Sequence, residues 1–393
     1  MSNWALASWA AWGVVVVLGA TLRSRAYAIF RGVTLGVHTL IFLALLPHFG
    51  VLTPVALGFH FVLFADSLAL IRATLRPTWY RILFSWPAQY MAAATLLALP
   101  WAVVAAFGFS PWGVWVPYAL GALGMSQSLT SRLEYRDITV GDVGMIQGVE
   151  RVTEGRPVDP RRVIRIAQIT DPHLGPFMSI GRLKRISQRI VAEQPDLVFL
   201  TGDFLTMESH RDPEWLAEGL SPLAKLEGRV FACLGNHDHE ALSTVQSALK
   251  QVHATLLVDA AVTVETPAGL VQVVGYDFHF QRRAERSREL FEAYPRKPNV
   301  LQLVLLHDPG AFKHLPPDAA DLVLSGHTHG GQVGLVSFGG SWTVARAVAK
   351  IPDHGFWGLG RNRMYIHRGT GHYGFPLRLG VPGEQSIVSV HWV

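Results

Sequence analysis

The chain has 393 residues, with 34 Lys and Arg against 29 Asp and Glu and a formal net charge of +5. Residues 1–131 hold six Arg and one Asp and so carry the whole excess, which leaves 132–393 formally neutral and argues against a basic nucleic-acid-binding surface. Cys233 is the only cysteine, which excludes an intramolecular disulfide and agrees with a reducing compartment.

Residues 1–131 contain no Lys or Glu; Arg23, Arg25, Arg31, Arg72, Arg76, Arg81 and Asp66 are the charges among long apolar runs. That pattern predicts an all-α transmembrane bundle of about five helices, over 4–22, 33–46, 54–71, 87–107 and 112–129. The second run is short, so a tilted or re-entrant segment and a total of four spans stay open. Trp4, Trp86 and Trp112 suit interfacial anchoring, and Pro100 predicts a kink in the fourth run. Arginines follow the first, third and fifth runs, the last being Arg132 and Arg136, and the intervening loops have none. Positive-inside logic then predicts an outside N-terminus and a cytoplasmic C-terminal domain. No basic n-region precedes the first run, which argues against a cleaved signal peptide. Asp66 falls inside a predicted span, where a charge is costly; a protonated or helix-paired structural residue is favoured over a functional one.

Residues 132–160 read as a connection, with a strand over 133–140 and a Gly- and Pro-bearing linker over 155–160. It is too short for a wandering domain, so the site that follows is expected close to the lipid headgroups. From 161 onward the pattern changes. Short runs rich in Val, Ile and Leu at 163–169, 197–200, 230–234, 301–306 and 322–324 read as strands covered on both faces. Leu183, Ile186 and Ile190 mark one face of a helix over 180–193.

Each strand run closes on a polar cluster: Asp171-Pro172-His173, Gly202-Asp203, Gly235-Asn236-His237-Asp238, His307-Asp308 and Gly326-His327-Thr328-His329. In open α/β sheets, ligands bind at that rim. The clusters supply carboxylates, imidazoles and one amide in the numbers that two adjacent divalent cations require. Two such ions, ~3.5–4 Å apart, clamp the attacking and leaving oxygens of an in-line displacement; they also repel, so a shared carboxylate is wanted. The donor set suits manganese, iron or zinc, with manganese favoured. With Asp171 and Asp203 as the only charged ligands, a net charge of about plus two remains to draw in a phosphate. One cluster alone reads more readily as a turn, but five in order at strand ends point to phosphoester cleavage.

The order D-x-H, G-D, G-N-H-D, a lone His and G-H-x-H resembles the calcineurin-like metallophosphoesterases, from about 163 to the C-terminus. The resemblance implies an α/β four-layer (αββα) sandwich with helices outside two central sheets. It implies one metal on Asp171, His173 and His329, a second on Asn236, His307 and His327, and Asp203 between them. His237 would donate to the leaving oxygen or steady the transition-state charge. Protein phosphatases of this superfamily extend the second motif to G-D-x-x-D-R-G, whereas Gly202-Asp203-Phe204-Leu205-Thr206-Met207-Glu208 lacks the Arg that grips a monoester. Gly330-Gly331-Gln332, Arg368-Gly369-Thr370-Gly371 and Pro376-Leu377-Arg378-Leu379-Gly380 resemble a membrane-associated bacterial branch that includes UDP-2,3-diacylglucosamine pyrophosphohydrolases.

The resulting expectation has three parts: a membrane domain over 1–131, a connection over 132–160 and a metallophosphoesterase domain over 161–393. Its function is predicted to be hydrolysis of a phosphodiester or pyrophosphate bond of a lipid-linked substrate, at the bacterial inner membrane, with no nucleic-acid partner. The alternatives are a phospholipid or other phosphodiesterase, and a receptor or transport protein whose metal domain only binds a phospho-ligand. His237 argues against the last, because pure binding needs no general acid. Histidines outside the motifs are expected to be structural, with His239 and His279 the two weighed as substrate contacts. The apolar-basic stretch 342–357 reads equally as a bilayer-contacting segment or a covered loop.

Overall fold

The computed structural model describes residues 2–141, 143–155, 162–372 and 374–392. Most of the linker expected over 155–160 lies outside the described residues. The chain divides into two compact units, Met1–Gln127 with Gly374–Leu379, and Ser128–Tyr373 with Gly380–Val393.

In the first unit, three helical segments are long and apolar enough to cross a membrane: Asn3–Leu22, Arg25–His48 and Gly50–Ala69. The second is longer than its apolar run, because the Ser24 hydroxyl accepts from Tyr27 N–H and starts the helix at Arg25. Arg31 does not break it. Its guanidinium sits 5.6 Å from the Tyr27 ring and is buried in the unit. Thr78–Leu97 and Leu99–Ala106 meet at a 56° bend, where Pro100 sits in the first turn of the second helix and has no N–H to continue the ladder behind it. The last helix, Val116–Ser128, has 13 residues, about 20 Å at 1.5 Å per residue, short of a ~30 Å hydrocarbon layer. The described residues therefore give three spanning candidates, or four if the bent pair counts as one, against an expectation of about five that left four open; the run read as short is a full-length helix, and the fifth run is the short one.

Asp66 is buried and accepts a hydrogen bond from Ser85 Oγ at 3.0 Å. Gly374–Leu379 joins this unit from the far end of the sequence. Phe375 packs on a cluster of Val15, Leu35, Leu63 and Phe64, and Arg378 N–H donates to Gly124 C=O at 3.2 Å.

In the second unit, thirteen strands among the described residues form two mixed sheets. These are β1 (Ser131–Val140), β2 (Ile146–Arg151), β3 (Arg162–Ile169), β4 (Leu197–Thr201), β5 (Val230–Cys233), β6 (Thr255–Leu256) and β7 (Ala260–Thr266). They continue with β8 (Gly269–Tyr276), β9 (Leu301–Leu306), β10 (Leu322–Ser325), β11 (Gly355–Gly360), β12 (Asn362–Ile366) and β13 (Gly383–Trp392). One sheet has the order β1-β13-β3-β4-β5-β6 and the other β2-β11-β12-β10-β9-β8-β7. The stretch 132–160 thus contributes a strand to each sheet: β1 pairs in parallel with β13, and β2 antiparallel with β11.

The period-two geometry of strands builds the core. Leu301, Leu303 and Leu305 of β9 face the same cluster as Ile164, Ile166, Leu197 and Phe199 of the other sheet. Val304 and Leu306, one residue out of phase, pack with Leu290 and Phe291 of the helix Arg283–Ala293. Burial on both faces is why β4, β5 and β10 read as almost wholly apolar runs and why β9 is broken only by the buried Gln302, whose amide donates to Ala319 C=O at 2.7 Å.

Candidate metal centre

The five strands that the motifs close are parallel to a neighbour, β3-β4-β5 in one sheet and β9-β10 in the other. Their carboxyl ends therefore gather the loops on one rim. Asp171 and His173 follow β3, Asp203 follows β4, Asn236 and His237 follow β5, His307 follows β9, and His327 and His329 follow β10.

The loops bring these side chains into two groups, Asp171–His173–His329 and Asp203–His307–His327. Within the first, His329 Nε2 lies 3.4 Å and His173 Nε2 3.9 Å from Asp171 Oδ1. Within the second, His307 Nε2 is 3.3 Å from Asp203 Oδ2 and 3.2 Å from His327 Nδ1. Asp203 Oδ2 is also 3.7 Å from His173 Nε2, so one carboxylate oxygen reaches both groups. Ligand atoms that each sit ~2.0–2.2 Å from one ion lie roughly 3–3.5 Å apart; three of the distances here fall in that range, and the two from His173 Nε2, 3.9 and 3.7 Å, lie just beyond it. Asn236 supplies the clearest fit: its Oδ1 is buried and has no hydrogen-bond partner among the described residues. A buried amide oxygen without a partner is costly unless a cation takes it.

The surroundings hold the donors in place. His307 Nδ1 is 2.7 Å from Thr201 C=O, which turns Nε2 toward Asp203. Thr170 Oγ1 donates to Asp171 Oδ2 at 2.7 Å, and His327 N–H donates to the same oxygen at 3.0 Å. Arg368-Gly369-Thr370-Gly371 finds its place as well: Thr370 N–H donates to Thr170 C=O and Gly371 N–H to Asp171 C=O. Gly326 is required by close approach. A Cβ there would stand 2.2 Å from both Asp171 Oδ2 and Thr170 Oγ1.

Asp238 is the organiser that motif reading passed over. It is fully buried and accepts N–H bonds from Asp203 (2.7 Å), Phe204 (2.8 Å) and Gly235 (2.8 Å), tying the β4 and β5 loops together. Its place as the last residue of the G-N-H-D motif was the available signal. Glu240 is the second such residue: its Oε1 is 3.0 Å from His237 Nδ1, while His237 N–H donates to Asp203 Oδ1 at 2.9 Å. His239 and His279 pair with Asp277 and Asp259, and neither joins the two ligand groups.

The electrostatics follow from crowding. Burial pushes the Asp203 carboxyl up, but the His307 and His173 imidazoles more than reverse this and hold it well below the usual range. Burial likewise opposes charge on His307, and Asp203 outweighs it, so His307 is held well above an ordinary imidazole. Burial also opposes charge on His237, which the hydrogen bond to Glu240 offsets, leaving it raised.

A calcineurin-like phosphoesterase family model matches residues 164–331. Phosphodiesterase YaeI of Escherichia coli is 27% identical over 239 residues, covering 58% of this chain and 82% of YaeI. The uncharacterized metallophosphoesterase YkuE of Bacillus subtilis is 27% identical over 232 residues, covering 58% and 78%. UDP-2,3-diacylglucosamine pyrophosphatase LpxG of Chlamydia trachomatis is 25% identical over 266 residues, covering 53% and 78%. Members of the family hold two divalent metals and hydrolyse phosphoesters, and the matched span contains every residue of the two groups together with Asn236 and His237. Residues 164–331 thus carry a calcineurin-like metallophosphoesterase domain, and the relatives it resembles are metal-dependent phosphohydrolases.

Proposed function

We propose that the chain is a membrane-anchored phosphodiesterase or pyrophosphohydrolase acting on a lipid-linked substrate such as UDP-2,3-diacylglucosamine. The observation that carries the reading is the Asp203 carboxylate oxygen within reach of both ligand groups, beside the orphaned Asn236 oxygen. Asp171, His173 and His329 would hold one ion, Asn236, His307 and His327 the other, and Asp203 both, with manganese the first choice and iron or zinc next. When bound, such a pair of ions activates a water and neutralises charge on the phosphoryl oxygens.

The side chains divide the remaining work. His237, oriented through Nδ1 by Glu240, presents its other nitrogen as the donor to the departing oxygen. Asp238 keeps Asp203 and the His237 loop in register. The residues after Asp203 supply no guanidinium to grip a terminal phosphate, which favours diesters and diphosphates over monoesters. Two further supports bear on the lipid: three apolar helices long enough to span a bilayer, and the similarity to LpxG. The helical unit is read as embedded in the bacterial inner membrane, with the phosphoesterase domain, layered helix-sheet-sheet-helix, on its cytoplasmic side.

The test is turnover by the full chain in detergent with added manganese. UDP-2,3-diacylglucosamine should be cleaved far faster than its deacylated counterpart, since each buried methylene contributes ~0.8 kcal/mol. Equal rates on the two, with aryl phosphate monoesters preferred, would remove the lipid assignment while leaving the metal chemistry intact.

A further inference from the structure

Within the phosphoesterase unit, exposed large apolar side chains concentrate in one segment. Leu335, Phe338, Trp342, Val344, Val348 and Ile351 are all exposed, with Phe338 at 82% and Val348 at 79%. The others in the unit are scattered singly, among them Leu242, Val258 and Leu270. Isolated exposed apolar residues need no explanation, whereas a contiguous group marks a contact surface.

The segment is pinned, not loose. Thr343 is fully buried and its hydroxyl donates to the buried Asp353, which also pairs with Arg151 at 3.0 Å. Arg346 stacks on Trp357 at 5.3 Å. Polar groups thus fasten the inner side, and the apolar side chains of the short helix Val344–Ala349 and the turn Val336–Phe338 face outward. That is the reverse of what folding in water would favour.

Charge selects the partner. No acidic residue lies between Asp321 and Asp353, while Arg346 and Lys350 do, and Asp353 is already paired. Both ends of the segment are tied to other parts of the fold. Thr328, between the two last metal-ligand histidines, donates through Oγ1 to Asp353 C=O at 2.6 Å. Ser337 N–H donates to Gly380 C=O at 2.7 Å, and Gly380 directly follows Gly374–Leu379, which packs within the helical unit.

We infer that residues 335–351 form a flap by which the phosphoesterase unit rests on an anionic lipid bilayer surface, its apolar side chains in the headgroup boundary and Arg346 and Lys350 on lipid phosphates. Because the flap leaves and rejoins the fold at the His327–His329 loop, this contact holds the metal rim at the height of the headgroups, where a lipid-linked phosphoester is found. The inference rests on the proposed membrane embedding of the helical unit, and the experiment separates the two.

Single cysteines carrying an environment-sensitive fluorophore are placed at Phe338, Val348, Leu270 and Val17 in a Cys233→Ala background. The full chain is reconstituted in phosphatidylcholine vesicles with or without phosphatidylglycerol, and quenching by lipid-borne nitroxides is read. Val17, exposed on the first helix, reports the embedding itself; Leu270, at the start of β8, is the control far from the rim. Quenching at 338 and 348 should approach that at 17, exceed that at 270 by about two- to fivefold, and rise with phosphatidylglycerol. Quenching at 17 with none at 338 and 348 overturns the flap alone, and no quenching at 17, 338 or 348 overturns the embedding as well. A blue-shifted but unquenched fluorophore at 338 and 348 means that protein covers the segment, and also overturns the inference. Phe338→Ser with Val348→Ser provides a second measurement. It should lower flap quenching at a reporter on Trp342 while leaving turnover of a soluble aryl phosphodiester unchanged.

Discussion

At the residue scale, the residues of the proposed metal centre are held in conformations that their side chains disfavour. Asp171, His173, Asp203, His327 and His329 all have positive φ, between 45° and 69°. Outside glycine this costs roughly 1–2 kcal/mol per residue, and such strain collects at functional sites where the surrounding structure over-determines it. Here the over-determination is visible: buried strands end immediately before each loop, and Asp238 and Thr170 clamp the loops from behind. Asp238→Asn should therefore lower metal affinity by ~10–100-fold without removing a ligand, because an amide NH2 would meet one of the three N–H groups; full metal content at ordinary concentrations by elemental analysis would refute this. Asp203→Ala should lose metal and activity together. His237→Ala should keep metal while turnover falls by ~10²–10⁴, and unchanged turnover on a poor leaving group would remove His237 from the donor role. The metal-free protein also makes a proton prediction. Asp203 raises the proton affinity of His307 against the cost of burial, so this imidazole is expected to be protonated at neutral pH without metal; a ligand imidazole must be neutral, and manganese uptake near pH 7 should then release roughly one proton from it. Affinity then rises with pH, and calorimetry in buffers of different ionisation enthalpy reads the release directly; identical heats in all buffers would count against it.

At the element scale, the strands that build the site were legible because they are simple. β3, β4, β5, β9 and β10 fall within a residue or so of the runs read from the sequence, since burial on both faces leaves a mostly apolar signal, interrupted inside the runs only by Arg165 and Gln168 in β3 and Gln302 in β9. The remaining strands hide theirs. β13 buries Glu384, Gln385 and Ser386, and Glu384 is tolerated only because Arg368 at 2.6 Å and Tyr365 at 2.8 Å satisfy it. β11 is rich in glycine, and β1 finds its partner β13 some 250 residues away, in a pairing that no local pattern announces. The left-handed backbone of the proposed ligands and the part played by Asp238 are likewise properties of assembled loops. Among the helices, Arg25 and Arg31 masked the true length of the second one. Small residues set another contact that hydropathy cannot show: a Cβ on Gly121 would stand 2.8 Å from Ala94 Cβ and 3.1 Å from its Cα, so Val116–Ser128 and Trp86–Leu97 touch nearly backbone to backbone. Gly121→Val should destabilise the helical unit by about 1–3 kcal/mol, read as a lower unfolding midpoint in detergent with metal content unchanged. An unaltered midpoint would mean that the two helices do not pack as described.

At the scale of the whole molecule, the two units are interleaved in sequence: the chain enters the phosphoesterase unit at Ser128 and sends Gly374–Leu379 back to the helical one. Cutting away residues 1–127 would strip Phe375 and Arg378 of the partners they pack against, so tests of membrane function belong on the full chain. The interleaving also sharpens the question of topology. Asn3–Leu22, Arg25–His48, Gly50–Ala69 and the bent pair are the spanning candidates, which alone would put the phosphoesterase unit on the side where the chain starts. The 13-residue helix Val116–Ser128 decides the matter, since a crossing by it returns the chain to the opposite side. Arg132 and Arg136 follow it as Arg23 and Arg25 follow the first helix and Arg72 and Arg76 the third, and basic residues stay cytoplasmic. A helix of ~20 Å can serve as a crossing where the bilayer thins or the flanking chain extends. A reporter fused at the C-terminus should therefore read as cytoplasmic and one inserted in the loop 107–111 as external. Both reporters on one side would make Val116–Ser128 a re-entrant helix, and both on the outer side would move the phosphoesterase unit, and its substrate, out of the cytoplasm.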